Sequence, residues 1–270
     1  MVTTSPITGP WGPDSCTAAV SITFDNLGEA VELGRGTWPK DMPLGQHPSV
    51  TRVLPDILKM LNELGLSATF FVEGINTEMY PHAMMEIVGA GHEVGYHAWL
   101  HEEWQYLSYA EEAQILERGV QAMSNLLGRP YGFRPPGGVL TASSVTLLKK
   151  MGFTYCSPAG SMAAITDGLA FLPFEWQLVD AYAYLPRFSG LREKFGDTSD
   201  PLSPAQFRER LRSALRQVVQ KQSYLSLLFH PFVEEAEERF EVMYSTLEEL
   251  RDLVREGSIW CAPCYKVAQS

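Results

Sequence analysis

Short apolar runs alternate with stretches of helical periodicity along nearly the whole chain. Ala18 to Phe24 (AAVSITF) is a continuous apolar run of strand length that leads into Asp25 and Asn26. Ser49 to Leu64 carries Val50, Val53, Leu54, Ile57, Leu58 and Leu61 at helical spacing and stops at Gly65. The same unit then recurs. Strands are predicted over 68–72, 92–96, 131–134, 153–157, 169–174, 223–229 and 258–262. Helices are predicted over 78–88, 108–127, 141–151, 203–222 and 236–255, two of them opened by capping boxes, Ser108 with Glu111 and Ser203 with Gln206. Residues 1–16 read as an irregular lead-in, and Leu27 to Pro48 and Leu185 to Asp200 as loops.

About seven strand-then-helix units in a row imply a parallel sheet with crossover helices. Strands this apolar are covered on both faces. A barrel and an open doubly wound sheet both meet that demand. No GxGxxG follows the first strand, which takes weight from a dinucleotide-binding sheet. The expected fold is therefore α/β, a single barrel spanning 1–270 with no internal linker.

Composition narrows the partners. Lys and Arg number 21 against 32 Asp and Glu, a formal charge of −11, which argues against nucleic acid and against an anionic membrane surface. The N-terminal stretch has neither a basic nor an apolar signal region, and no apolar run is long enough to span a bilayer. The expectation is a cytoplasmic protein; a homo-oligomer is compatible with the sequence. Cys16, Cys156, Cys261 and Cys264 read as reduced thiols, because CAPC has no second CxxC to complete a zinc site.

In a barrel, sites form where strand ends meet the following loops. Asp25 and Asn26 end the first strand, His97 and His101 follow the third, Arg134 follows the fourth, and His230 follows SYLSLLF. His97 and His101 stand four apart, a spacing that on one helical turn lets both imidazoles bind one metal ion. Each of these polar groups would be costly to bury alone, so convergence makes them partners for one another.

The ordered motifs TFDN (Thr23–Asn26), HAWLH (His97–His101), RPPGG (Arg134–Gly138) and LLFHP (Leu227–Pro231) resemble those of the polysaccharide deacetylases. That resemblance implies a distorted (β/α) barrel and metal-assisted hydrolysis of an amide C–N bond on a small-molecule or oligosaccharide substrate. It casts Asp25 as general base, Arg134 as the group orienting it, and His230 as general acid. Asp180 in FEWQLVD, followed by Glu175, is the candidate acidic support of His230. It casts His97, His101 and Asn26 as ligands of a divalent metal, zinc by preference.

Asn26 departs from the family, which has Asp there; an amide oxygen is a weaker ligand. Asp25 or Glu29 could complete the metal shell instead. The chain also resembles the cytoplasmic cyclic-imide and allantoin hydrolase branch, whose substrates are small. Three functions stay open: a metal-assisted deacetylase of N-acetylated sugars, a metal-poor or metal-independent hydrolase of a small cyclic amide, and an inactive carbohydrate-binding relative. Trp38, Trp99, Trp104 and Trp176 are candidates for a pocket wall or for core.

Overall fold

Residues 4–270 are described in a computed structural model of the chain; the first three residues of the expected lead-in lie outside that range. In chain order the strands are β1 (Thr4–Pro6), β2 (Ala18–Asp25), β3 (Ala68–Val72), β4 (Glu93–Tyr96), β5 (Gly132–Phe133), β6 (Tyr155–Cys156), β7 (Ala164–Thr166), β8 (Leu169–Phe171), β9 (Tyr224–Phe229) and β10 (Ile259–Cys261). They form one sheet in the order β1-β7-β8-β6-β5-β4-β3-β2-β10, with β9 on the other side of β2. Every pairing from β8 through β6, β5, β4, β3 and β2 to β9 and β10 is parallel. The apolar runs dictate this. Every residue of β2, β3 and β9 is buried, as strands covered on both faces require.

Helices pack outside the sheet. Leu54–Leu64 buries Leu54, Ile57, Met60, Leu61 and Leu64, one face at helical spacing, and Gly65 ends it at φ 66° in the left-handed region. Both predicted capping boxes are present, at Ser108 with Glu111 and at Ser203 with Gln206.

The sheet curls into a distorted barrel. Where a closing strand would stand, the segment after β8 is held by single parallel bridges, Ala159 to Phe174 and Val179 to Leu228. That segment then turns into a short helix, Asp180–Tyr184. The pattern of polar and apolar positions missed several small elements. β1 and β7 are antiparallel additions, helix Ala30–Arg35 interrupts the long first loop, and Pro186–Lys194 is helical rather than loop. Each is short enough that tertiary contacts outweigh local periodicity. Among the described residues no helix is long and apolar enough to cross a membrane.

Candidate active site

Parallel register gathers the site. Phe24 pairs with Phe229, Val72 with Tyr96, Tyr96 with Phe133, and Phe133 with Cys156. One step further along each strand stand Asp25, His230, Glu73, His97, Arg134 and Ser157, which the parallel strands carry to the same C-terminal rim, with Asp25 level with Phe71. Side chains more than two hundred residues apart in sequence become neighbours because parallel strands all end on the same side.

The Arg134 side chain reaches back beneath the rim and is fully buried. Nη1 donates to Asp25 Oδ1 at 2.7 Å and Thr23 Oγ1 at 2.9 Å. Nη2 donates to the Oγ atoms of Ser157 (2.8 Å) and Ser226 (3.2 Å), and Nε to Ser157 Oγ at 3.2 Å. All five guanidinium N–H groups thus have acceptors, the condition under which a buried charge is tolerated. Phe71 and Phe174 cover the guanidinium, at 4.2 and 5.0 Å. Asp25 is buried, and desolvation raises its pKa above the ordinary carboxylate range although Arg134 pulls it down. The result is a fixed carboxylate more basic than a free one.

His97 and His101 meet, but not on a helix. Residues 97–103 are irregular, with Ala98 and His101 in the left-handed region at φ 65° and 58°. The expected helical turn fails because neighbours take the loop's hydrogen bonds. The carbonyls of Ala98 and Trp99 accept from Gly74 and Ile75, and Glu102 accepts from the Trp99 and Leu100 amides. Left-handed non-glycine residues cost about 1–3 kcal/mol each and persist where the surroundings hold them. The two rings still face each other edge to face, with centroids 5.0 Å apart. His97 Nδ1 lies 2.8 Å from the Arg134 carbonyl, so it carries the proton and leaves Nε2 a bare lone pair, 3.8 Å from Asp25 Oδ2. Burial holds both rings neutral, lowering His97 to about 3 and His101 well below its usual value.

Two imidazoles and one amide oxygen make a donor set that a divalent ion would fit. Two neutral imidazoles converge beside Asn26, whose Oδ1 is buried and has no hydrogen-bond partner. A buried acceptor left without a donor is costly unless something electropositive meets it. Among the described residues, however, no group of three or more His, Cys, Asp or Glu side chains is placed to hold a metal. Glu29 does not join. It is fully buried elsewhere and accepts from Tyr80 Oη and the Gly45 and Gln46 amides, stapling the long loop.

Across the cleft, Asp180 holds His230. Asp180 Oδ1 lies 2.6 Å from His230 Nδ1, and Oδ2 accepts from the His230 amide at 2.6 Å. The Val179–Leu228 bridge makes this contact, which sequence distance hides. Glu175 instead lines a separate groove. Behind Asp180 stands Glu234, and burial and the Asp180 charge raise the pKa of its carboxyl well above the usual range. His230→Ala should lower kcat by about 10²–10⁴-fold. Asp180→Asn should do so less severely. Amides with weakly basic leaving amines should recover part of the loss, and an undiminished defect on them would assign His230 a structural role.

Asp25, Asn26, His97, His101 and His230 line one cleft of about 260 Å³, with Arg134 and Asp180 behind it. Of the four tryptophans only Trp176 lines that cleft. Trp104 is core and donates to Ser144, Trp99 lies beneath Arg118, and Trp38 donates to Met42 within its own loop. Periodicity carried no sign of Arg35 and Arg187, which also line the cleft. Both come from segments read as loops.

The model of the polysaccharide deacetylase family matches residues 14–156, a stretch that includes Asp25, His97 and Arg134. A peptidoglycan deacetylase of Helicobacter pylori is 34% identical over 103 residues, 38% of this chain and 35% of that protein. The match thus spans about a third of that relative's length. A Mycobacterium smegmatis protein, solved as a member of the polysaccharide deacetylases, superposes over 99% of this chain and 94% of its own with a TM-score of 0.84 at 28% identity. Puue allantoinase superposes over 98% and 93% with a TM-score of 0.76 at 17% identity, a likeness of fold alone. Family match, parallel barrel and rim residues agree: the chain belongs to the polysaccharide deacetylase family.

Proposed function

We propose that this protein is a hydrolase of non-peptide carbon–nitrogen bonds that removes the acyl group from an N-acylated sugar. One observation carries the reading: two charge-paired proton-transfer groups, Asp25 on Arg134 and His230 on Asp180, face the same cleft. A binding protein has no need of either pair.

In this reading Asp25 Oδ2 takes a proton from the water that attacks the acyl carbonyl, while Arg134 fixes the carboxylate through Oδ1. The C–N bond breaks, and His230 delivers a proton from Nε2 to the departing nitrogen, its ring held by Asp180 at Nδ1. The products are a free acid and an amine. His97, His101 and Asn26 would hold a divalent metal, which when bound supplies Lewis acidity to the carbonyl oxygen and to water. Phe174, Trp176 and Phe188 offer flat faces against which a sugar ring can stack. A groove of about 280 Å³ adjoins the cleft and shares Arg35 and His101 with it, room for a longer oligosaccharide.

A second reading, a hydrolase of a small cyclic amide that depends little on metal, draws support from Asn26, which leaves the donor set without a carboxylate of its own. Acetate release from N-acetylglucosamine oligomers supports the first reading; ring opening of a cyclic amide without acetate release supports the second. Elemental analysis tests the metal. His97→Ala with His101→Ala should abolish bound zinc, since each removes one of two strong donors. Stoichiometric zinc in the double variant would place the metal elsewhere.

A further inference from the structure

Two guanidinium groups in the cleft take no part in the chemistry above. Arg35 ends the helix Ala30–Arg35, and Arg187 sits in the turn Pro186–Phe188. They come from different parts of the chain and line the same cleft as Asp25 and His230. Among the described residues, neither has a carboxylate within 4.0 Å or a side-chain hydrogen-bond acceptor, and Arg187 lies over the Phe188 and Phe232 rings, whereas the buried Arg134 is matched by Asp25. Among the described residues, Asp25 is the only carboxylate in the cleft wall. Partial burial and the charge of Arg35 lower the Arg187 pKa, and the Glu32 carboxylate pulls it back up. Both side chains are exposed to solvent at the cleft, so their donors are open to a ligand. The location matters because the protein as a whole carries −11. Its overall field disfavours anions, so two arginines on the cleft wall, neither in contact with a carboxylate and only partly offset by Glu32, favour an anion there.

We infer that Arg35 and Arg187 bind an oxyanion, a carboxylate or a phosphate, carried by the substrate, so that the enzyme acts on an acidic N-acylated sugar in preference to a neutral one. This rests on the deacylase reading above. Guanidinium forks suit either oxyanion, because paired N–H groups match two oxygens at once. The reacting amide would then lie between Asp25 and His230 while its acidic substituent reaches the arginines.

Three sugars that differ in this one respect test it: N-acetylglucosamine, N-acetylmuramic acid with a carboxylate, and N-acetylglucosamine 6-phosphate. For the native enzyme, kcat/KM on at least one acidic sugar should exceed that on the neutral one by about tenfold or more, as charge-assisted hydrogen bonds imply. Which acid is favoured identifies the oxyanion. Arg35→Gln with Arg187→Gln should bring the ratio near one, Arg→Lys at both positions should restore part of it, and added salt should shrink it. Equal turnover of all three sugars, or a ratio unmoved by the double variant, overturns the inference. If the native enzyme turns over none of them and releases no acetate from N-acetylglucosamine oligomers either, the deacylase reading fails, and calorimetry on the Asp25→Asn protein decides the anion site separately. There an acidic sugar should bind about tenfold tighter than the neutral one, and the advantage should vanish in the arginine double variant. Equal binding of acidic and neutral sugars rejects the site.

Discussion

Asp25→Asn should abolish turnover near neutral pH while the chain still folds. The substitution keeps shape and keeps an oxygen for Arg134 to donate to, but it removes the atom that accepts a proton. Loss of a positioned general base costs about 10²–10⁴-fold in rate. The loss should lie at the upper end here, because Thr23, Ser157 and Ser226 are hydroxyls that serve Arg134 rather than bases that could substitute. The same change strips a fully buried guanidinium of its counter-charge, a defect worth about 3–5 kcal/mol when a buried pair is broken. Thermal unfolding should therefore occur at a lower temperature with the native circular dichroism intact. Burial raises the Asp25 pKa, so the native enzyme should lose activity as pH falls at a point above the ordinary carboxylate range. A variant with turnover within tenfold of native, or an acidic limb unchanged by the substitution, excludes Asp25 as the base.

Asn26→Asp should raise both metal occupancy and deacetylation. Position 26 already holds φ 62°, a conformation that Asp tolerates about as well as Asn, so the backbone poses no barrier. A carboxylate would replace a neutral, unpartnered oxygen beside two neutral imidazoles. Adding a full negative charge to such a set should tighten a divalent ion by about tenfold or more. The competing effect is repulsion. The new carboxylate follows Asp25 directly, and two carboxylates in contact push one pKa up and out of the basic range. The ion decides the sign: with metal present the charge is neutralised and activity rises; without it Asp25 stays protonated longer and activity falls. Turnover of the Asn26→Asp protein with and without chelator, alongside elemental analysis, separates the two. A rise that chelator reverses supports the metal-assisted reading, and a fall whatever the metal sinks it.

Much of this was legible in the residues. The apolar runs that became β2, β3 and β9 sat at the expected places because a strand buried on both faces has to be continuously apolar. The capping boxes at Ser108 and Ser203 were legible because their partners lie within one helical turn. The histidine pair was visible as spacing, but its conformation was not. HAWLH has helical spacing, yet the carbonyls of Ala98 and Trp99 are claimed by Gly74 and Ile75, and the chain there turns left-handed instead.

Sequence by itself determined the order of strands and helices, the parallel sheet, and the polar residues that end the strands, since each follows from local periodicity and the cost of burying an unmatched charge. Only the tertiary structure decided which of those residues touch. Asp180 reaches His230 through a single bridge between Val179 and Leu228, and Arg134 reaches Asp25 across the barrel. Arg35 and Arg187 enter the cleft from segments without periodicity. Such contacts depend on register and barrel closure, which are set by packing summed over the whole sheet and leave no local trace in the residues they join.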